Sequence, residues 1–191
     1  MKGESMKARR NSGPTLDGAP FIVHALDESP DTSYLGEYSN GDRPGAIDRQ
    51  EKGDMERGEY RYFHSANHAV HNPADWAHVS AKDKQKVIRE YGSLENATKA
   101  YADYDYGRME RLNRGDWCYM GVYAVAHVII NGTAQRFRSP GLWGIESDSD
   151  KSYFAETAQG ELDSLRGILK AAGVRAPRRF LVADCETKER D

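Results

Sequence analysis

Three histidines and three carboxylates are the groups whose spacing could do chemistry. His64, His68 and His71, in HSANHAVHN, stand at i, i+4 and i+7. On a helix they would share one face, a three-ligand zinc arrangement with an open fourth position. No acid lies inside that spacing, because residues 65–67 are Ser, Ala and Asn, and Asn72-Pro73 stops any helix there. The better reading is a solvated loop, with the three imidazoles kept as the alternative metal set. The second group is Glu146, Asp148 and Asp150, inside LWGIESDSDKSYFAE at 142–156. A calcium loop would need a central glycine and a terminal Glu at fixed positions, and the glycine is missing. Ser147 or Ser149 as an N-cap would put Asp148 and Asp150 in or beside a first helical turn, each favoured there by about 0.3–1 kcal/mol. A third reading makes the run a partner-binding rim around Trp143, since interfaces favour aromatic centres and polar edges.

Other chemistry is excluded by pattern. The chain has no G-x-S-x-G, no P-loop and no G-x-G-x-x-G following a strand. Cys118 and Cys185 form neither a metal spacing nor a disulfide framework, which suits a reducing cytoplasm. Tyr101, Tyr104 and Tyr106 are interleaved with acids, whereas nucleic-acid stacking platforms interleave aromatics with bases. No apolar run approaches the roughly 18 residues of a membrane span. No cofactor is implied.

The elements that must position these groups can be read from periodicity. Phe21–Leu26 has the composition of a strand. The segment 27–58 is rich in Gly and acid and reads as a long loop with a short strand near Tyr34–Tyr38; Glu59–Phe63 alternates as another strand. Ser80 with Asp83 opens a helix over 81–91, and Ser93 caps a second to about Asn113, with Leu94, Ala97, Tyr101, Tyr104, Met109 and Leu112 as its stripe. Trp117–Ile130 and Thr133–Arg138 flank Asn131-Gly132, the preferred type I′ turn pair. That turn pairs Ile130 with Thr133 and Ala126 with Phe137. It collects Val122, Ala124, Ala126, Val128, Ile130 and Phe137 on a core face, and leaves His127, Arg136 and Arg138 on the other. Phe154, Ala158, Leu162, Leu165, Leu169 and Ala172 make a last helical stripe, and Arg179–Ala183 a final strand. The sum is α+β: an antiparallel sheet with a long hairpin at about 117–138, packed by two or three helices. The expected organisation is a flexible basic arm at 1–19, one domain over 20–185 and a charged tail at 186–191.

Charge is segregated along the 191 residues, whose formal net charge is −3. Residues 27–60 hold ten acids against four bases, and residues 144–163 hold six against one. Such segregation steers encounter with a basic partner and gives no general footprint for nucleic acid.

Two blocks, PDTSYLGEYSN…IDRQEKGDMERGEYRYF and DYGRMERLNRGDWCYMGVYAVAHVIINGT continuing to GLWGIESDSDKSYFAETAQGELDSLRGIL, resemble a family of small proteins carried by bacteriophages, plasmids and other mobile elements, with LWGIESDSD as its most specific motif. The resemblance covers about 27–63 and 103–173 and implies a context rather than a mechanism: accessory proteins that disarm host defences, of anti-CRISPR or anti-restriction type. The resulting expectation is a non-enzymatic inhibitor in the host bacterial cytoplasm. It would bind a defence protein or nucleoprotein complex through Trp143, Glu146, Asp148 and Asp150, together with Glu37 and Asp42 of the acidic loop. The alternatives are a metal-dependent enzyme such as a nuclease, and a DNA-associated accessory protein using the basic arm and Arg178-Arg179.

Overall fold

The computed structural model describes residues 13–67 and 73–190. In chain order the elements are β1 (Thr15–Leu16), β2 (Phe21–Leu26), β3 (Gly36–Ser39), β4 (Ile47–Asp48), α1 (Arg49–Lys52), β5 (Tyr62–Ser65), α2 (Ala81–Tyr91) and α3 (Leu94–Asn113). There follow β6 (Tyr119–Ile130), β7 (Thr133–Arg138), β8 (Leu142–Glu146), α4 (Lys151–Ala171) and β9 (Glu186–Arg190). The architecture is α+β. Contacts divide the chain into two compact units: Met1–Pro30 with Cys118–Asp191, and Asp31–Trp117. The first unit is built from two segments far apart in sequence, and such a return leaves no trace in local periodicity.

In the first unit, β6 is the spine of the sheet. One of its edges pairs with β2, from Leu26↔Met120 to Phe21↔Val125, and then with β1 at Leu16↔Val128. Its other edge pairs with β7, with Ile130↔Thr133 and Ala126↔Phe137 as the turn dictates, and with β8. Asn131 and Gly132 hold φ 51 and 81, the left-handed pair a type I′ turn requires. The face carrying Val122, Ala124, Ala126 and Val128, with Ile22 and Ile145, packs on Ala158, Leu162, Leu165 and Leu169 of α4. Each of these leucines is fully buried, worth about 1.5–3 kcal/mol apiece before cavity costs. Ser139 ties the β7–β8 connection to β6: its N–H donates to the Ala124 carbonyl at 3.0 Å and its Oγ accepts from the Ala124 N–H at 2.9 Å.

Several boundaries differ from the periodicity, each for a visible reason. Ala172 is exposed; the chain turns after it and Val174 is buried instead, its N–H donating to the Leu169 carbonyl at 2.9 Å. Arg179–Ala183 is not a strand. Phe180 plugs the core and Val182–Asp184 forms a 3-10 turn. The final strand is Glu186–Arg190, parallel to β2, inside the stretch expected to be a tail. Glu186, Lys188 and Glu189 give it the charge typical of an edge strand, which discourages pairing with another chain. Residues 1–12 of the expected arm lie outside the described residues; Thr15 and Leu16, also placed in the arm, are paired on β6.

The second unit holds a three-stranded sheet, β3-β5-β4, with α2 and α3. Both helices start where the serines predict: Ser80 Oγ accepts from Asp83 N–H at 3.2 Å and Ser93 Oγ from Asn96 N–H at 3.0 Å. The inner face of α3 differs from the expected stripe. Tyr104 is 66% exposed, while Tyr106 is buried against Phe63, centroids 5.4 Å apart. Tyr106 can go inside because its hydroxyl donates to the Asp54 carboxylate at 2.9 Å. β5 begins three residues later than the alternation from Glu59 suggests, because Glu59 and Tyr60 are spent on Arg49. Among the described residues no helix is long and apolar enough to cross a membrane.

Candidate interaction surface

Strict alternation along β8 would point Trp143 and Ile145 the same way, and the structure separates them. Ile145 stands opposite Met120 and Leu142 opposite Val122, so Trp143 and Gly144 together face the single residue Gly121. This is a β-bulge, and Gly144 adopts the left-handed φ of +76 that it needs. Ile145 thereby returns to the α4 side and is 3% exposed, while Trp143 stays on the opposite face, 40% exposed. Its indole lies directly on Gly121, where an added Cβ would sit 2.3 Å from the ring. It stacks on Tyr123 with centroids 6.1 Å apart and planes 27° apart. The Arg138 guanidinium lies 4.0 Å above the Tyr123 ring and 5.7 Å from that of Trp143.

Carboxylates lie beside this platform. A groove of about 400 Å³ runs beside it, lined by Tyr123, Arg138 and Trp143 and by Asp27, Glu28 and Ser29 from the chain leaving β2. The Asp27 N–H donates to the Tyr119 carbonyl at 2.9 Å, and Tyr119 is the register partner of Glu146. Asp27 and Glu146 therefore flank Tyr119 in the row next to Trp143. Asp148 and Asp150 follow in an exposed turn, closed by Ser149 N–H donating to the Glu146 carbonyl at 2.9 Å. The expected serine N-cap is absent. Asp150 is the capping residue of α4 and makes no side-chain cap bond, and no acid lies in the first turn. Ser147 extends the ladder of β8 instead, its Oγ accepting from Cys118 N–H at 3.0 Å. Asp27 and Glu28 escaped the sequence reading as individual residues because they are two of ten acids in a long loop.

No family model, curated protein or solved structure matches this chain. What it can do must come from its own side chains.

Glu37 and Asp42 belong to the second unit. Glu37 ion-pairs with Arg43 at 2.9 Å, both ends well exposed, and Asp42 is exposed in the turn between them. Besides Glu37, two further acids of 27–60, Asp48 and Glu59, are in ion pairs with arginine. Asp48 caps α1 and pairs with Arg61, which holds its carboxyl below the usual range. The Glu59 carboxyl is also held low, first by the Glu56 N–H and then by Arg49. Arg49, 6% exposed, is the hub. It donates to the Tyr60 carbonyl at 3.0 Å, the Asp54 carbonyl at 3.1 Å and Glu59 Oε2 at 3.0 Å, lies 3.3 Å from Glu110 Oε1, and sits 4.8 Å over the Tyr38 ring.

Of the histidine set, His68 and His71 lie outside the described residues. His64 is buried, with Nε2 2.8 Å from Ser39 Oγ and 3.0 Å from the Gly41 carbonyl. A serine beside an imidazole invites a nucleophile–base reading. The carbonyl argues against it, since it can only accept, so Nε2 carries the proton and donates. A nitrogen already donating cannot take the serine's proton. Ser39 Oγ also accepts from Gly41 N–H at 3.1 Å, so the pair locks a turn. Among the described residues no three His, Cys, Asp or Glu side chains come together as a metal-binding group.

The Arg49 cluster has a pH signature. Burial, helped by the neighbouring Asp54 and Glu110 carboxylates, pushes the Tyr106 phenol from 10.0 up to about 12. Burial and the Glu110 carboxylate raise Tyr38 as well. The folded phenols hold their protons above the pH at which unfolded ones release them. Their contribution is therefore complete below about pH 10 and is lost as pH rises through the folded value. Alkaline titration followed by phenolate absorbance and circular dichroism should show the second unit melting in that window. Tyr106→Phe should flatten the slope, and an unchanged slope would contradict the assignment.

Proposed function

We propose that this chain is a non-enzymatic binding protein that inhibits a host defence complex, meeting it through the outer face of the first unit. Trp143 carries the proposal. A Trp held 40% exposed on a Tyr123–Arg138 stack combines the three residue types that dominate binding hot spots. It is rigid before binding, so little entropy is lost on contact. Asp27 and Glu28 line the groove beside it, Glu146 stands one row away, and Asp148 and Asp150 follow in the exposed turn; this negative charge suits a basic surface such as the nucleic-acid groove of a defence nuclease. The resemblance to mobile-element proteins supplies the defence context.

Affinity capture from bacterial lysate with the tagged chain, followed by titration of the captured partner, tests this reading. Binding should weaken as salt rises. The triple change Glu146→Gln, Asp148→Asn, Asp150→Asn should lower affinity by about tenfold, mostly through the association rate. Affinity indifferent both to salt and to the triple change would remove the electrostatic half of the proposal.

A further inference from the structure

A second cavity of about 430 Å³ lies on the opposite, α4-facing side of the first unit, where the helix begins and leaves part of the sheet uncovered. Its size is that of small-molecule sites. Its inner wall is apolar, formed by Ile22, Phe154 and Ala158 among others, and three titratable side chains line it as well: His24, Lys151 and Glu189. His24 and Glu189 are register partners across β2 and β9. The His24 ring rests 5.4 Å from that of Phe154, and burial lowers its pKa against the opposing pull of Glu189. Among the described residues neither Lys151 nor Glu189 is in an ion pair. The cavity thus offers one cation and one anion, neither in an ion pair, beside an apolar wall.

We propose that this cavity binds a small zwitterion with an apolar body, of the class of the apolar α-amino acids. The ligand carboxylate would meet Lys151 at the start of α4, where the helix dipole also favours an anion. The ligand ammonium would meet Glu189, and the side chain would lie against Phe154 and Ile22. A purely anionic ligand would face Glu189, and a purely cationic one Lys151. Only a molecule of both signs leaves neither charge opposed. The site does not depend on the Trp143 face, so each can fail alone.

Titrating L-phenylalanine, 3-phenylpropionate and phenethylamine into the full chain, followed by NMR of the His24 and Phe154 rings, tests the assignment. Phenylalanine should bind about tenfold tighter than either single-charge analogue. Lys151→Gln should bring it down to the affinity of the amine, and Glu189→Gln to that of the carboxylate. Ala155 also lines the cavity but is exposed on α4, so Ala155→Trp should block the mouth and abolish binding with the melting temperature retained. Absence of phenylalanine binding at millimolar concentration, equal affinity for all three compounds, or unchanged binding in Ala155→Trp would overturn the proposal.

Discussion

Arg49→Ala should destabilise the second unit by about 3–5 kcal/mol, the usual cost of removing one partner from a buried charge cluster. Arg49 itself is buried, and the Glu110 side chain it faces is only 17% exposed. Removing the guanidinium leaves Glu110 with the Tyr38 hydroxyl, which donates to it at 2.7 Å, and no counter-charge at that position. The Tyr60 and Asp54 carbonyls lose their donors in the same step. Arg49→Lys tests whether charge alone suffices. A lysine restores the sign but cannot aim a planar fork at two carbonyls and two carboxylates while stacking on Tyr38, so it should recover less than half the loss. Urea unfolding of the three chains reads the effect directly, and amide exchange in β5 and α3 locates it. A loss near the 0–1 kcal/mol of a surface pair would show that the cluster is solvated and that the long acidic loop is held by something else.

The elements readable in the sequence are those whose signal is local. α2 and α3 begin at Ser80 and Ser93 because one side chain satisfies a backbone N–H three residues on. The β6–β7 register follows from a two-residue turn, and the core faces of β6 and α4 follow from it by counting. The unread parts depend on partners far away. Nothing in ETKER alternates, so β9 is visible only through its pairing with β2, more than 160 residues earlier in the chain. The burial of Arg49 needs Glu59, Tyr60 and Glu110 in place at once, and an isolated arginine reads as surface. At the candidate site, Trp143 and the acidic run stood out by composition. The bulge that turns Trp143 outward did not, because LWGIE is as good a plain strand as a bulged one until its register against Gly121 is known. Asp27 joined the site only through the pairing of β2 with β6.

Gly121→Ala should remove Trp143 from its seat and cost the proposed binding about as much as Trp143→Ala, a hot-spot loss of at least about 2 kcal/mol, or roughly thirtyfold. The backbone does not demand glycine at this position, since Gly121 is not among the glycines at positive φ. Space does. A methyl group there would lie 2.3, 2.5 and 2.6 Å from three atoms of the indole, and no real Cβ approaches so closely. β6 is held at Gly121 by its pairing with Ala25 on one edge and, on the other, by the pairings of Met120 and Val122 with β8 on either side of the bulge, so the indole is the part that must move. It would forfeit the Tyr123 stack, worth about 0.5–1.5 kcal/mol beyond area, and release the Arg138 side chain from one of its two rings. A double-mutant cycle decides whether this contact is the cause. With Trp143 already replaced by Ala, Gly121→Ala has nothing to strike and should be close to neutral, so the two changes should be strongly non-additive in unfolding free energy. Trp143 fluorescence, taken as the difference from the Trp143→Ala chain, should shift toward that of a solvated indole in Gly121→Ala. Additive losses with an unshifted emission would mean that Trp143 is not seated on Gly121. The surface proposed to bind would then have no rigid centre.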